Sequence, residues 1–159
     1  MMVALDINVA RNRKARFDYF IEESLEVGIV LSGTEIKSIR EGHVNLKDGY
    51  AKIEHGELWL MNVHISPYDK GSYYNKDPLR PRKLLAKKKE ILRLFAKTRE
   101  KGFTLIPLGM YIKEGKRVKV ELALAKGKQE HDKRHSIAER DANREINRAV
   151  REKGKGEYD

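Results

Sequence analysis

Apolar and polar residues alternate along much of the chain up to residue 127, and this pattern predicts several β-strands. The alternation runs through residues 17–31 and, without a break, through residues 118–124, where Val118, Val120, Leu122 and Leu124 share one face. Residues 49–65 predict a hairpin, and residues 105–112 predict a strand just before the last one. Two short turn signals separate these strands, His55-Gly56 and Glu114-Gly115.

Helical spacing is found in two places. Ser32-Gly33-Thr34-Glu35 has the spacing of a capping box, and Gly42 ends the short helix that follows. Residues 86–101 predict a second helix, with Ile91, Leu92 and Phe95 facing inward. Residues 1–15 predict a loosely held lead-in, and residues 66–81, which contain three Pro and one Gly and no sustained periodicity, predict a long loop. Many strands and few helices predict a mainly β fold (α+β): a small antiparallel β-barrel with helices on its rim.

The pattern changes after Gly127. Residues 128–159 carry only a thin apolar stripe amid dense mixed charge, including Ile137 and Ile146. Such a stripe buries too little surface to offset the roughly 1–2 kcal/mol that ordering each residue costs. We therefore predict a barrel domain over residues 1–127 and a tail over residues 128–159 that is disordered when free and helical when bound.

Composition narrows the class of partner. The 159 residues contain 34 Lys+Arg against 24 Asp+Glu, a net charge of +10, which favours a polyanion such as nucleic acid. The absence of cysteine excludes disulfide scaffolds, Cys-type zinc sites and thiol catalysis. No apolar run approaches the roughly 20 residues of a membrane span, and the N-terminus does not resemble a signal peptide. We expect a cytoplasmic protein without membrane contact.

Enzymatic signatures are weak. Gly109 and Gly115-Lys116 only loosely resemble a phosphate-binding loop, because the spacing is wrong and Arg117 follows where Ser or Thr is needed. His131 and His135 could share a helix face and hold a metal, but a charged surface is the better interpretation. Glu22, Glu23 and Glu26 have no catalytic partner placed beside them. We predict no catalytic residue, no metal site and no cofactor.

Basic clusters are the better candidates. The first runs from Arg11 to Arg16 beside Phe17 and Tyr19, a combination that can clamp phosphate and stack a base. The second spans residues 80–101, with ten basic residues against two acidic ones, and favours a phosphate-facing surface. The third is Lys126-Gly127-Lys128. Three tyrosines of the long loop either stack bases or cover the barrel, and the residues alone favour neither: Tyr68, Tyr73 and Tyr74.

Taken in order, several short segments resemble one family. They are Asn12-Arg13-Lys14-Ala15-Arg16, Gly33-Thr34-Glu35-Ile36-Lys37-Ser38-Ile39-Arg40, Asp77-Pro78 with Arg82-Lys83-Leu84-Leu85, Ala125-Lys126-Gly127-Lys128, and Asp132-Lys133-Arg134. Over residues 8–145 the chain is similar to the small protein B family, also called SsrA-binding or tmRNA-binding proteins. Each segment is a weak signal, whereas five in order at these spacings are specific.

The resemblance implies a function. Members of the family are not enzymes. They have an oligonucleotide-binding (OB) type barrel, bind the tRNA-like domain of transfer-messenger RNA (tmRNA) and accompany it into the A site of a stalled ribosome. Their tail becomes helical in the empty messenger channel, and the nascent chain is then tagged for proteolysis. Alanyl-tRNA synthetase and GTP-bound elongation factor Tu act alongside, through the RNA. We expect a monomer.

The resemblance also implies site residues. RNA contacts match Asn12, Glu26 and Leu85, with basic support from Arg13, Lys14, Lys83, Lys126 and Lys128. Contacts of the tail in the decoding centre of the small subunit match His131, Asp132, Lys133 and Arg134. The tail departs from the family where Ala142 and Asn143 follow Asp141 in place of a common tryptophan, and its Gly-rich end predicts that the bound helix stops near Arg151.

Two other classes of function stay open from the residues alone. An RNA-processing enzyme could use such a barrel as a platform, and cleavage or modification of labelled RNA would reveal it. A ribosomal structural protein would copurify permanently with a ribosomal subunit, whereas an adaptor would associate with stalled ribosomes.

Overall fold

Nine strands and four helices follow one another in the part of the chain that the computed structural model describes, residues 6–68 and 75–156. The strands are β1 Ile7–Arg11, β2 Tyr19–Ile29, β3 Val44–Asn45, β4 Tyr50–Glu54, β5 Glu57–Met61, β6 His64–Ile65, β7 Arg82–Leu85, β8 Phe103–Lys113 and β9 Arg117–Gly127. The helices are α1 Ala15–Asp18, α2 Gly33–Arg40, α3 Lys88–Thr98 and α4 Glu130–Gly156. The chain divides into two units between Gly127 and Lys128.

Six strands of the first unit close into an antiparallel barrel. The order β8-β4-β5-β7-β2-β9 returns to β8, because β8 and β9 also pair with each other along their whole length. The remaining strands are β1, which pairs with β8 from outside the ring, and the separate two-stranded ladder β3–β6. Closure leaves few unpaired edges, as the barrel predicted from the alternation requires.

The barrel interior is filled by the apolar face of each strand. Val120, Leu122 and Leu124 of β9 are almost fully buried, as the unbroken alternation predicted. The β8–β9 and β4–β5 turns hold non-glycine residues at positive φ, Glu114 (53°) and His55 (52°), each followed by a glycine that adopts this region readily. Outside the ring, α1 packs Ala15 against Ile106, Ala123 and Ala125.

Helix α2 begins where the sequence predicted. The side chain of Ser32 accepts from the Glu35 amide (3.3 Å), and the Glu35 carboxylate accepts from the Ser32 amide (2.9 Å), which completes the capping box. The main-chain amide of Gly42, which has a φ of 78°, then donates to Ile39 just beyond the helix end.

Two expectations were wrong, and one strand had no prediction. The lead-in contains strand β1, because it completes a ladder with β8. Strand β7 was missed, since its four residues are too few to show a period. In α3 the inward face is the narrow pair Ile91 and Leu94, so Leu92 and Phe95 turn outward and are 59% and 42% exposed.

The second unit is one helix, α4, which runs to Gly156 and so extends past the predicted end near Arg151. Glycine disfavours a helix by only about 1 kcal/mol, and helix-forming Lys and Glu residues alternate with it here. The dependence of this helix on a bound partner stays a prediction.

Candidate nucleic-acid interface

Glu26 is held on the outer face of the barrel by two residues of β8. The Tyr111 hydroxyl donates to Glu26 Oε2, and the Lys113 ammonium group lies 3.0 Å from Oε1. The hydrogen bond from Tyr111, followed by that from Lys113, holds the pKa of the Glu26 carboxyl below its ordinary value. The side chain is therefore ionised near neutral pH, exposed, and limited to accepting hydrogen bonds.

The second predicted RNA contact, Leu85, lies near Glu26. Leu85 pairs with Gly28 of β2, two residues beyond Glu26 on the same face of the strand. Its side chain is 52% exposed, which is unusual for a large apolar residue in a barrel strand. The structure thus brings Glu26 and Leu85 onto one surface, as the RNA-contact prediction requires.

The first basic cluster joins this surface through β9. Glu26 pairs with Glu121 in the β2–β9 ladder, and Glu121 lines a hollow of about 280 Å³ with Leu108 and four residues of the cluster, Arg11, Asn12, Arg13 and Arg16. The side-chain amide of Asn12 donates to the Pro107 carbonyl (3.1 Å), which fixes the bend between β1 and α1. The exposed side chains of Arg11 and Arg13 therefore supply positive charge for phosphate near Glu26.

The other predicted basic residues are more dispersed. Lys14 is exposed ahead of α1 and lines a different hollow, with Tyr19 and Tyr50. Lys83 forms an ion pair with Glu57 (3.1 Å) on the outer side of β7, and the ammonium group of Lys126 lies 5.8 Å from the centre of the Phe103 ring. Lys128 belongs to the second unit. Lys14, Lys83 and Lys126 therefore have other neighbours than Glu26, and their role as RNA contacts stays a prediction.

The proposed phosphate-facing surface over residues 80–101 is wrong at its beginning. Arg82 is 1% exposed, and its guanidinium contacts Glu35 (2.7 Å), the Val63 carbonyl (2.6 Å) and the Pro78 carbonyl (3.0 Å). Arg80 also donates to the Glu35 carboxylate, at Oε1 and at Oε2 (3.1 Å). Both side chains therefore serve the fold, because a buried carboxylate requires such partners.

The rest of that segment is mostly exposed. Arg93 forms an ion pair with Glu23, and the Arg99 guanidinium lies 5.5 Å from the centre of the Phe95 ring. The remaining basic residues on and around α3 lie in solvent: Lys87, Lys88, Lys89, Lys97 and Lys101. For these exposed residues, the phosphate-facing surface stays a prediction.

The loop tyrosines are only partly described. The Lys37 ammonium group lies 5.4 Å from the centre of the Tyr68 ring, and the main chain of Tyr68 forms two hydrogen bonds with the Asn75 side chain. Tyr68 thus contacts α2. The predictions for Tyr73 and Tyr74 lie outside the described residues.

The predicted decoding-centre residues open helix α4. His131 Nε2 lies 3.3 Å from a carboxylate oxygen of Asp132, and the other Asp132 oxygen accepts from the Gln129 amide (3.2 Å). Asp132 thereby occupies the first turn, where a negative charge stabilises a helix. Lys133 and Arg134 follow it directly.

Within residues 6–68 and 75–156 no three His, Cys, Asp or Glu side chains gather closely enough to bind a metal ion, and His135 lies near Glu139 (3.5 Å) instead. Over the same residues, no helix has the length and apolar character that a membrane span needs.

Sequence reasoning missed three neighbours of Glu26. Tyr111, Lys113 and Lys119 lie at the outward positions of β8 and β9, between residues of the barrel interior. The alternation of β9 had already placed Lys119 on the polar face, so the signal was present for that residue. Nothing local marked Tyr111, since its partner is 85 positions away.

Fold and surface together define the class: a small antiparallel β-barrel whose open outer face combines arginines, an exposed apolar side chain and a fixed carboxylate, as in proteins that bind single-stranded or folded nucleic acid. The model of the family described as SmpB protein matches residues 9–152. The chain belongs to this family.

Relatives named SsrA-binding protein are similar to this chain over most of its length. An SsrA-binding protein from Desulforudis audaxviator is 61% identical over 145 residues, covering 91% of this chain and 94% of the relative. One from Symbiobacterium thermophilum is 59% identical over 151 residues, covering 95% and 93%. A solved structure described as "tmRNA-SmpB: a journey to the center of the bacterial ribosome" is similar with a TM-score of 0.66 and 48% identity, covering 80% of this chain and 93% of that one.

Proposed function

We propose that this protein is a non-enzymatic RNA-binding adaptor of trans-translation. Its barrel binds the tRNA-like domain of tmRNA and delivers it to the A site of a stalled ribosome, so that the nascent chain is tagged for proteolysis. The family membership and the names of the relatives support this function. The structural observation that carries it is the exposed, ionised Glu26 beside an arginine cluster and Leu85, which suits a folded RNA better than a uniform duplex.

The second unit supplies the ribosomal part of the proposal. Helix α4 is densely charged and, among its described side chains, largely exposed, so it offers a long polar surface to a narrow RNA-lined channel. In the proposed mechanism His131, Asp132, Lys133 and Arg134 contact the decoding centre, and the residues after them enter the messenger channel only when no codon occupies it.

The remaining partners follow from the same function. Alanyl-tRNA synthetase and GTP-bound elongation factor Tu act on the RNA while the barrel holds it, and the protein works in the cytoplasm as a monomer. We also propose the basic support from Lys14, Lys83, Lys126 and Lys128, because their positive charge suits RNA phosphates.

A triple variant tests the division of labour between the two units. Replacing Asp132, Lys133 and Arg134 by Ala leaves the affinity for the tRNA-like domain within about twofold and abolishes tagging of a stalled nascent chain. Gel-shift binding and immunodetection of the tag measure the two effects. The control changes Lys52 and Glu54, an exposed ion pair on β4, to Ala and keeps both RNA binding and tagging. Loss of RNA binding in the first variant contradicts the division.

Salt dependence and copurification test the RNA partner itself. The affinity for the tRNA-like domain falls steeply with salt, because each phosphate contact releases a condensed counterion. RNA that copurifies with the full chain from its own cell consists mainly of one tRNA-like species. A random mixture of RNAs, or cleavage of labelled RNA by the pure protein, overturns the proposal.

A further inference from the structure

Helix α3 has apolar residues on two sides. Ile91 and Leu94 face the barrel and are buried. Leu92, Phe95 and Ala96 follow one another at helical spacing on the outer side, and all three are exposed. The exposed fraction of Leu92 is larger than that of any other large apolar side chain described in the first unit. Isolated exposed apolar residues are ordinary on a protein surface, whereas neighbours on one helix face form a patch that a partner can cover.

Basic residues lie at both ends of this patch. By helical spacing, Lys88 lies one turn before Leu92, and Arg99 lies one turn after Phe95. The helix and its flanks, residues 87–101, carry seven basic residues against two acidic ones. An apolar centre with a charged border is the usual anatomy of a protein–protein contact. We call these residues the outer stripe of α3: Lys88, Leu92, Phe95, Ala96 and Arg99.

Phe95 and Arg99 form a unit at one end of the outer stripe. The Arg99 guanidinium lies over the Phe95 ring, 5.5 Å from its centre. A guanidinium over a ring keeps its N–H groups at the edge of its plane, where it can donate two parallel hydrogen bonds to a carboxylate. The same contact covers one face of the ring. Phe95 therefore does not offer that face as the open stacking platform that a nucleobase uses.

The chemistry of the outer stripe favours a protein partner. RNA is bound through phosphates and stacked bases, and the exposed Leu92 side chain serves neither. An amphipathic helix with acidic flanks suits both parts of the stripe, because its apolar face covers Leu92 and Phe95 while its carboxylates reach the basic ends. A second copy of this chain is disfavoured, because it would bring two surfaces of the same charge together.

We propose that the outer stripe of α3 is a docking site for an acidic amphipathic helix of a partner protein. Leu92 and Phe95 are its apolar anchors, and Lys88 and Arg99 bind carboxylates at the two ends. The inference adds a protein contact to the proposed function and does not depend on it.

Three designed peptides test the stripe against the full chain. The first is a capped helix of about sixteen residues, long enough to be helical, with leucines at i, i+3, i+4 and i+7 and glutamates on both flanks. The second has the same composition in scrambled order, and the third has lysine in place of glutamate. Fluorescence anisotropy gives a Kd of about 10 μM for the first peptide, as for a small transient interface, and about tenfold weaker binding for the other two.

Neutral substitutions assign the contact to individual residues. Leu92→Gln and Phe95→Gln each weaken binding of the first peptide about tenfold, as expected for anchors at the centre of an interface. Leu79→Gln is the matched control, since Leu79 is a similarly exposed leucine outside α3, and it changes the affinity by no more than about twofold. Arg99→Gln costs about fivefold, whereas Lys97→Gln removes the same charge from another side of the helix and stays within about twofold.

Other occupants give different results, and each overturns the proposal. If Leu92→Gln weakened binding of a uridine oligomer as much as that of the peptide, the outer stripe would be an RNA surface. If the native chain dimerised in sedimentation experiments and Leu92→Gln made it monomeric, the stripe would join two copies. If Ile137→Gln with Ile146→Gln, both in α4, raised the affinity for the peptide about tenfold, the chain's own tail would cover the stripe.

Two further measurements complete the test. Equal binding of the first and the scrambled peptide overturns the proposal, because charge alone would then account for binding. Leu92→Gln keeps its circular dichroism spectrum and its affinity for the tRNA-like domain within about twofold, since the substituted side chain is exposed. Failure of the native chain to bind the tRNA-like domain overturns the proposed function and leaves the docking site standing.

Discussion

Two glutamates of the first unit, Glu26 on β2 and Glu35 on α2, are each held by two side chains. Glu26 is exposed to a ligand, whereas Glu35 stabilises the fold. Glu35 is buried between Arg80 and Arg82. Glu26 is exposed between Tyr111 and Lys113. Each carboxyl has a lowered pKa, so neither the number of partners nor the ionisation state distinguishes them. Their surroundings do: every acceptor site of Glu35 faces protein, whereas Glu26 keeps acceptor sites directed at solvent.

The balance between the cost of burial and the gain from hydrogen bonds differs between the two carboxylates. Burial alone would raise the pKa of Glu35, and hydrogen bonds from Arg80, the Ser32 amide and Arg82 outweigh it. Arg82 links this carboxylate to the Val63 and Pro78 carbonyls, so one network joins α2, the segment before β7 and the β5–β6 connection. Removing one member leaves an uncompensated buried charge, whereas Glu26 can change its partners for a ligand at little cost to the fold.

The largest expected effect is on stability. Glu35→Ala lowers the free energy of unfolding by about 3–5 kcal/mol, because Arg82 then stays buried without its carboxylate. Urea denaturation followed by circular dichroism measures the loss. Glu54→Ala is the matched control, since Glu54 forms an exposed ion pair with Lys52 (3.1 Å), and its loss stays below about 1 kcal/mol. Equal losses in the two variants would contradict the comparison.

Acidic pH removes part of the stabilisation that the ionised Glu35 carboxylate provides. Since the folded-state pKa of Glu35 is lowered, its stabilisation is complete above the ordinary value of 4.5 and is lost as pH falls through the folded pKa. The gap in unfolding free energy between the native chain and Glu35→Gln therefore narrows below pH 4.5. Denaturation curves over a series of pH values test this prediction. If the difference in unfolding free energy became larger below pH 4.5, the prediction would be wrong.

A smaller effect is expected at the start of α2. Ser32→Ala removes the side-chain acceptor for the Glu35 amide and costs about 1 kcal/mol, the usual value for a capping residue. Thermal unfolding measures it. Ser32→Asp retains an acceptor at that position and should restore most of the loss, whereas no recovery would place the effect elsewhere.

The smallest stability effect belongs to Glu26. Glu26→Gln changes the unfolding free energy by no more than about 0.5 kcal/mol, as for most surface substitutions, and weakens binding of the tRNA-like domain about tenfold. The binding loss occurs although a negative charge is removed, because a directed acceptor is lost. Tighter binding after the substitution would show that Glu26 only repels phosphate.

Local patterns predicted a large part of the fold. The β8–β9 hairpin, the β4–β5 hairpin and the α2 capping box depend on residues close together in the chain, and all three were found where their spacing indicated. Strand β1 was not predicted because its ladder forms with a strand about a hundred positions away. The burial of Arg82 was not predicted because a run of basic residues looks the same in sequence whether or not one of them is buried.

The sequence by itself determined the alternating strands, their turns, the helix caps, the excess of positive charge and, through the order of its short segments, the family. Only the tertiary structure decided which charged side chains are structural and which meet a ligand. Ladder closure placed Tyr111 beside Glu26 and drew Arg82 into the interior toward Glu35. Burial and hydrogen-bond partners depend on contacts between distant strands, and no local spacing encodes those contacts.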